Sequence, residues 1–203
     1  MSTRSHVGIL REDGSVERVY VHWDGYAQGA GLLLLRHARE AQDAEGIIAK
    51  GSQDSLAWLG DAPRGWKSLG IPTERVACAE YLALDGMIEY AYLFDPKDGQ
   101  WYVATTHAPD ADRGATERTL GIQKLYPLGM YLAYEAIEDK RQGYSSAREC
   151  RKLLDACLQE GIISEGDIAS AQKMSKKYAP KSSRKAAQAL REALEAAESI
   201  PAF

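Results

Sequence analysis

Residues 7–10 and 16–23 are apolar or alternate in polarity on either side of Glu12-Asp13-Gly14-Ser15. That pattern predicts a β-hairpin, because glycine accepts the positive φ that a tight turn needs. Residues 25–31, with glycines at 25, 29 and 31, break the sheet and lead into a helix over 32–42. A helical turn over 44–50, a loop over 52–73 and a short strand over 76–81 follow. A second hairpin is predicted at 87–94 and 100–106, around Asp95-Pro96-Lys97-Asp98-Gly99. There Ile88, Tyr90, Tyr92 and Phe94 alternate with Glu89, Ala91 and Leu93, the period of a strand. Residues 107–117 read as a polar loop.

From about residue 120 the period becomes helical. Leu128, Tyr131, Leu132, Ala133 and Ile137 place apolar groups on one side of a helix over 125–142. Ser146 with Glu149, and Ser164 with Asp167, have the spacing of capping boxes. They predict helices over 146–160, ended by Gly161, and over 164–178, ended by Pro180. Ser182 or Ser183 opens a last helix to about residue 199. Hairpins followed by a run of helices predict an α+β fold. The expectation is an antiparallel sheet built from the two hairpins, one long helix packed on it, and a C-terminal bundle of about four helices. The division expected is 1–118 and 119–203, with the second part able to share the core of the first.

Composition narrows the class. The chain has 203 residues, 45% of them hydrophobic and 27% charged, which is globular usage. Cys78, Cys150 and Cys157 form no CxxC and suit free thiols in a reducing compartment. No apolar run approaches the length of a membrane span, and residues 1–6 have no signal core, so no membrane partner and a cytoplasmic location are expected. Charge is uneven. Residues 140–203 carry 12 basic and 8 acidic side chains, a net of +4, on a body of −8. Lys173, Lys176, Lys177, Lys181, Arg184 and Lys185 run without an acid among them. Such a run suits an acidic partner or, less well on an acidic protein, nucleic acid.

The first hairpin carries the main candidate chemistry. With Gly14 left-handed in a three-residue turn, the preferred register pairs Val7 with Val21 and Ile9 with Val19, on an apolar face. The other face then carries Arg4, His6, Arg18, Tyr20, His22 and Asp24, with His6 across from His22. Two guanidiniums and two imidazoles beside a phenol could hold a nucleotide-like anion. The same groups could bind a metal through His6, His22, Asp24 and His107, but no HxH or HExxH spacing supports that. They could act on a phosphodiester, although the His-x-Thr/Ser pair of two-histidine phosphoesterases is missing. They could equally satisfy one another beneath a covering helix. The amides of residues 25–31 could cradle a phosphate, but the glycine spacing is not GxGxxG. Trp58 and Trp66 could close a small satellite core. No cofactor and no metal are expected.

The stretches Ser2-Thr-Arg-Ser-His-Val-Gly-Ile and Tyr20-Val-His-Trp-Asp-Gly-Tyr26 carry a resemblance, as do Glu89-Tyr-Ala-Tyr-Leu-Phe-Asp and Gln100-Trp-Tyr-Val. Over about residues 2–106 the chain resembles a family of small uncharacterised proteins of bacteriophages and prophages. Ala27 stands where that family usually has proline. The resemblance implies a phage-type accessory protein in a bacterial host cytoplasm. Such a protein would bind, sequester or inhibit a host protein, an anti-defence factor among them, or take a nucleotide ligand. The alternatives are a phosphodiester-directed hydrolase using His6 and His22, or nucleic-acid binding through the basic helices.

Overall fold

The computed structural model describes residues 3–56, 58–59, 62–63, 67–84, 87–111 and 122–179, with the two short pairs as backbone alone. The first hairpin forms as β1 (Ser5–Leu10) and β2 (Ser15–Val21). Its turn is the three-residue kind, with Gly14 at φ 80° and the Arg11 amide bonded to the Ser15 carbonyl. This closure puts Val7 opposite Val19, His6 opposite Tyr20 and Gly8 opposite Arg18. The pairing is thus two residues away from the expected one, and Tyr20 rather than His22 faces His6. A shift of two keeps every side chain on its own face, so Val7, Ile9, Val19 and Val21 still share the core side.

After β2 a π-turn (Ala27–Gly31) feeds α1 (Leu32–His37). The helix expected over 32–42 stops at Ala38, where φ is −123° and ψ is 64°. The Ala38 carbonyl accepts the Trp101 indole N–H at 2.6 Å. A new helix, α2 (Ala41–Ile48), starts from a capping box between Glu40 and Asp43. β3 (Trp58–Leu59) and β4 (Ala62–Pro63) pair with each other apart from the main sheet. The strand expected over 76–81 is split. β5 (Glu74–Ala77) pairs with β2, and α3 (Cys78–Leu82) then turns Tyr81 onto the sheet.

The second hairpin is β6 (Tyr90–Asp95) and β7 (Gln100–Thr105), with Gly99 at φ 68° in its turn. The sheet order is β5-β2-β1-β6-β7, closed at the far edge by β8 (Tyr126–Pro127). β1 and β6 run parallel, so the sheet is mixed and not purely antiparallel. The two hairpins join through their first strands, and the helical segment between them carries the chain back to start β6 in the direction of β1. Both strands are buried along five consecutive residues, as central strands covered on both faces must be.

α4 (Leu128–Gln142), the first helix of the expected C-terminal bundle, itself packs against the sheet. α5 (Ala147–Gln159) and α6 (Glu165–Tyr178) follow, each opened by its expected capping box, Ser146 with Glu149 and Ser164 with Asp167. Gly143 and Gly161 end α4 and α5 at φ 83° and 63°. The fourth expected helix lies outside the described residues. One core cluster joins Val7, Val19, Phe94 and Trp101 to Leu128, Tyr131, Leu132 and Ala171, so core packing runs across residue 118. A smaller cluster around Tyr81, Val16, Leu93 and Ala104 covers the opposite face of the sheet.

Gly8 sits where this second layer presses closest. A Cβ there would lie 2.6 Å from Val16 Cγ1 and 3.1 Å from the Tyr81 ring. Tyr81 is fully buried and its hydroxyl donates to the Tyr92 carbonyl, so it cannot easily retreat. Gly8→Ala should therefore cost about 1–3 kcal/mol of stability, the range for overpacking. A urea midpoint unchanged from wild type would contradict this packing.

Candidate functional site

The hairpin face is partly covered: His6 is buried, Arg4, Arg18, Tyr20 and His22 are half-buried, and Asp24 is exposed. His6 is 7% exposed, stacks on Tyr81 at 6.2 Å and meets Tyr20 edge-on. Burial, helped by the nearby Arg18 charge, lowers its pKa to about 3, so the ring is neutral at pH 7. Arg18 donates through Nε and Nη2 to Glu74 at 3.1 and 3.0 Å, and Glu80 lies 3.8 Å away. Both carboxylates arrive from β5 and α3, elements far away in sequence. Tyr20 Oη is 2.7 Å from His22 Nδ1, and His22 meets Trp23 edge-on. Asp24 is exposed, with φ 57°, and its carbonyl accepts from Ala30. The Arg4 carbonyl accepts from the amides of Glu89 and Tyr90. Of the six candidates, His6, Arg18 and Tyr20 share one small cavity. His107 lines a different cavity, so the four-ligand metal set does not assemble. Among the described residues no cluster of three His, Cys, Asp or Glu is placed to hold a metal.

The basic segment divides. Lys173, Lys176 and Lys177 are exposed on α6, while Lys181, Arg184 and Lys185 lie outside the described residues. Lys173 and Lys177 join Lys124, Met130, Met174, Tyr126 and Tyr178 around a groove of about 390 Å³. The Lys124 and Lys177 ammoniums stand 4.9 and 4.7 Å from the Tyr126 and Tyr178 ring centroids.

The most distinctive chemistry lies elsewhere, in a cavity of about 480 Å³ between α4, the π-turn and β6. Helix α4 supplies Tyr131, Tyr134, Glu135, Glu138, Asp139 and Gln142, a stripe at three- and four-residue spacing. Tyr90 comes from β6, Gln28 from the π-turn and His107 from beyond β7. Tyr26 and Tyr144, 40% and 79% exposed, stand at its mouth. Glu135 is the pivot. Its carboxylate accepts from Tyr90 Oη at 2.7 Å and from the Gln28 amide at 3.1 Å, and also from the Ala27 amide. The π-turn amides that could cradle a phosphate are thus occupied by the protein's own carboxylate.

Burial raises the Glu135 pKa, and the charge of Asp139 adds to the rise against the opposing hydrogen bonds. Asp139 accepts from Gln28 Nε2 at 2.6 Å. Glu138 is held below its ordinary value by Arg141 and by Ser175 Oγ at 2.6 Å, against the effect of burial. His107 stacks on Tyr90 at 5.3 Å while bonding Glu89 at 2.9 Å. Three carboxylates and five tyrosines thus line the space, and no Lys or Arg stands among its lining residues. Aromatic faces and carboxylates together favour a cation.

Apart from His107, none of these residues was a sequence candidate. The signal was present in the spacing of Tyr131, Tyr134, Glu135, Glu138 and Gln142, which reads as a polar-aromatic stripe beside the apolar one. Tyr131 belongs to both and had been assigned to the core. A larger space, about 590 Å³, lies along α5 alone, and one helix face does not enclose a ligand. A scan of protein-family models and searches of curated proteins and solved structures find no match to this chain.

Proposed function

We propose that the protein acts by binding rather than catalysis, and that it captures a partner protein by taking one of its Lys or Arg side chains into the acid-aromatic cavity. The observation that carries this reading is the lining of that cavity, acidic and aromatic with no Lys or Arg in it, although Arg141 pairs with Glu138 from outside. A half-buried carboxylate that accepts three hydrogen bonds is held in place before any partner arrives. The resemblance of the opening strands to phage and prophage proteins supports a host protein as the partner and an accessory, anti-defence type of role. The Lys124, Lys173 and Lys177 groove lies beside this cavity, with Tyr131 packed between Tyr126 and Tyr134. A partner surface carrying an acidic group next to its basic one would match both. Hydrolysis of a phosphodiester by His6 and His22 is the weaker reading, because Tyr20 stands between the two rings and His6 is neutral.

The test is a titration with N-acetyl-arginine amide and butylammonium, followed by NMR of the tyrosine rings. Free side-chain mimics should bind with dissociation constants on the order of millimolar, about 4 kcal/mol. Shifts should centre on Tyr90, Tyr131 and Tyr134, and butyrate should produce none. Equal shifts from butylammonium and butyrate would overturn the proposal.

A further inference from the structure

The face of β1 and β2 away from the main core closes a separate cavity of about 250 Å³. Its charge decides what it can hold. Arg18 is its cation, and Glu74 accepts two bonds from that guanidinium within the same wall. Glu80 adds a second carboxylate at 3.8 Å. A bare anion would have to displace Glu74, so the wall presents a guanidinium-carboxylate pair, donors beside acceptors, with no net positive charge. Tyr20 and Ser52 add hydroxyl groups.

His6 forms another part of the wall. It is more than nine-tenths buried, and its Nδ1 has no hydrogen-bond partner among the described residues. Buried polar atoms are ordinarily paired, and this one is also shut off from solvent, so the imidazole gives the wall its ring rather than an open acceptor. The remaining wall is apolar. Pro72 and Ile88 line it, and Ile71 and Met87 stand at its mouth, 44% and 65% exposed. Large exposed apolar side chains beside a polar floor are the usual makeup of a small-molecule pocket.

We propose that this cavity binds an uncharged planar heterocycle of nucleobase size, its polar edge against the Arg18-Glu74 pair and its faces against Met87 and Ile71. A nucleobase edge places an acceptor beside a donor, the complement of a guanidinium beside a carboxylate. The volume admits one such ring system and little more. The site is distinct from the acid-aromatic cavity and shares no lining residue with it.

The experiment titrates the full chain with the four ribonucleosides and, separately, with inorganic phosphate, following the His6 ring protons by NMR. At least one nucleoside should shift His6 to saturation, and phosphate should neither shift it nor compete. Met87→Glu changes an exposed residue and leaves the fold intact, and it should weaken that nucleoside by about tenfold. Three results would overturn the proposal: no nucleoside moves His6, phosphate displaces the nucleoside, or Met87→Glu binds as well as wild type. Glu135→Gln should leave nucleoside binding unchanged.

Discussion

Glu135→Gln is expected to make the protein more stable at neutral pH and to abolish its grip on cations. Both effects come from one carboxyl group. Burial raises the Glu135 pKa above the 4.5 of an exposed glutamate. The folded state therefore holds a proton that the unfolded chain releases more readily. Stability from this group is complete below pH 4.5 and is lost as pH rises through the raised folded value. Glutamine has no charge to desolvate and keeps an oxygen for the Gln28 amide. The variant's advantage over wild type should thus grow from pH 4 to pH 8. Cation binding should fall by about tenfold or more, the worth of a charge-assisted contact. In wild type, N-acetyl-arginine amide should bind more tightly as pH rises through the same window, because the cation displaces the proton. Urea denaturation and the tyrosine titration, each run across pH, measure the two halves. A variant that loses stability and keeps its affinity would assign Glu135 a purely structural role.

This coupling was not visible along the sequence, and the reason is physical. Local signals place elements well where the determinant is local. The Ser146 and Ser164 boxes, the Gly14 turn and the Gly99 turn each depend on three or four consecutive residues, and each forms as expected. Alternation in β1 and β6 identified the strands but not their relation. Whether β6 joins β1 parallel or antiparallel depends on the path of the intervening chain, and no periodicity encodes it. Helix 32–42 broke because the Trp101 indole, 63 residues downstream, bonds the Ala38 carbonyl. The candidate sites show the same limit. His6, Arg18 and Tyr20 do come together, because one strand pairing fixes them. Their charge balance was illegible, since Glu74 and Glu80 reach Arg18 from elements more than fifty residues away. Glu135 reads as an ordinary helical glutamate until Tyr90 and the π-turn close over it.

Acid should destabilise the protein through His6. The ring is buried between Tyr20 and Tyr81, and the Arg18 charge opposes its protonation. Its pKa is lowered from 6.5 to about 3 in the fold. Between those values the unfolded chain takes up a proton that the folded chain refuses, so stability falls as pH drops from 6.5 toward 3. The full loss approaches about 5 kcal/mol, a large share of the stability of an ordinary domain. Paired carboxylates such as Glu138 also weaken in acid, and for the same reason: their folded values are lowered, so the unfolded chain takes up the proton first. His6→Phe separates the two. Phenylalanine keeps the ring contacts with Tyr81 and Tyr20, and among the described residues no hydrogen bond to Nδ1 is lost. The variant should match wild type within about 1 kcal/mol at pH 7. At pH 4 it should be the more stable protein, since only wild type still bears the cost of a proton it cannot hold. Urea midpoints of the two proteins between pH 4 and 8 should therefore diverge on the acid side. Parallel curves would mean that His6 takes up its proton in the folded state, which its place between Tyr20, Tyr81 and Arg18 opposes.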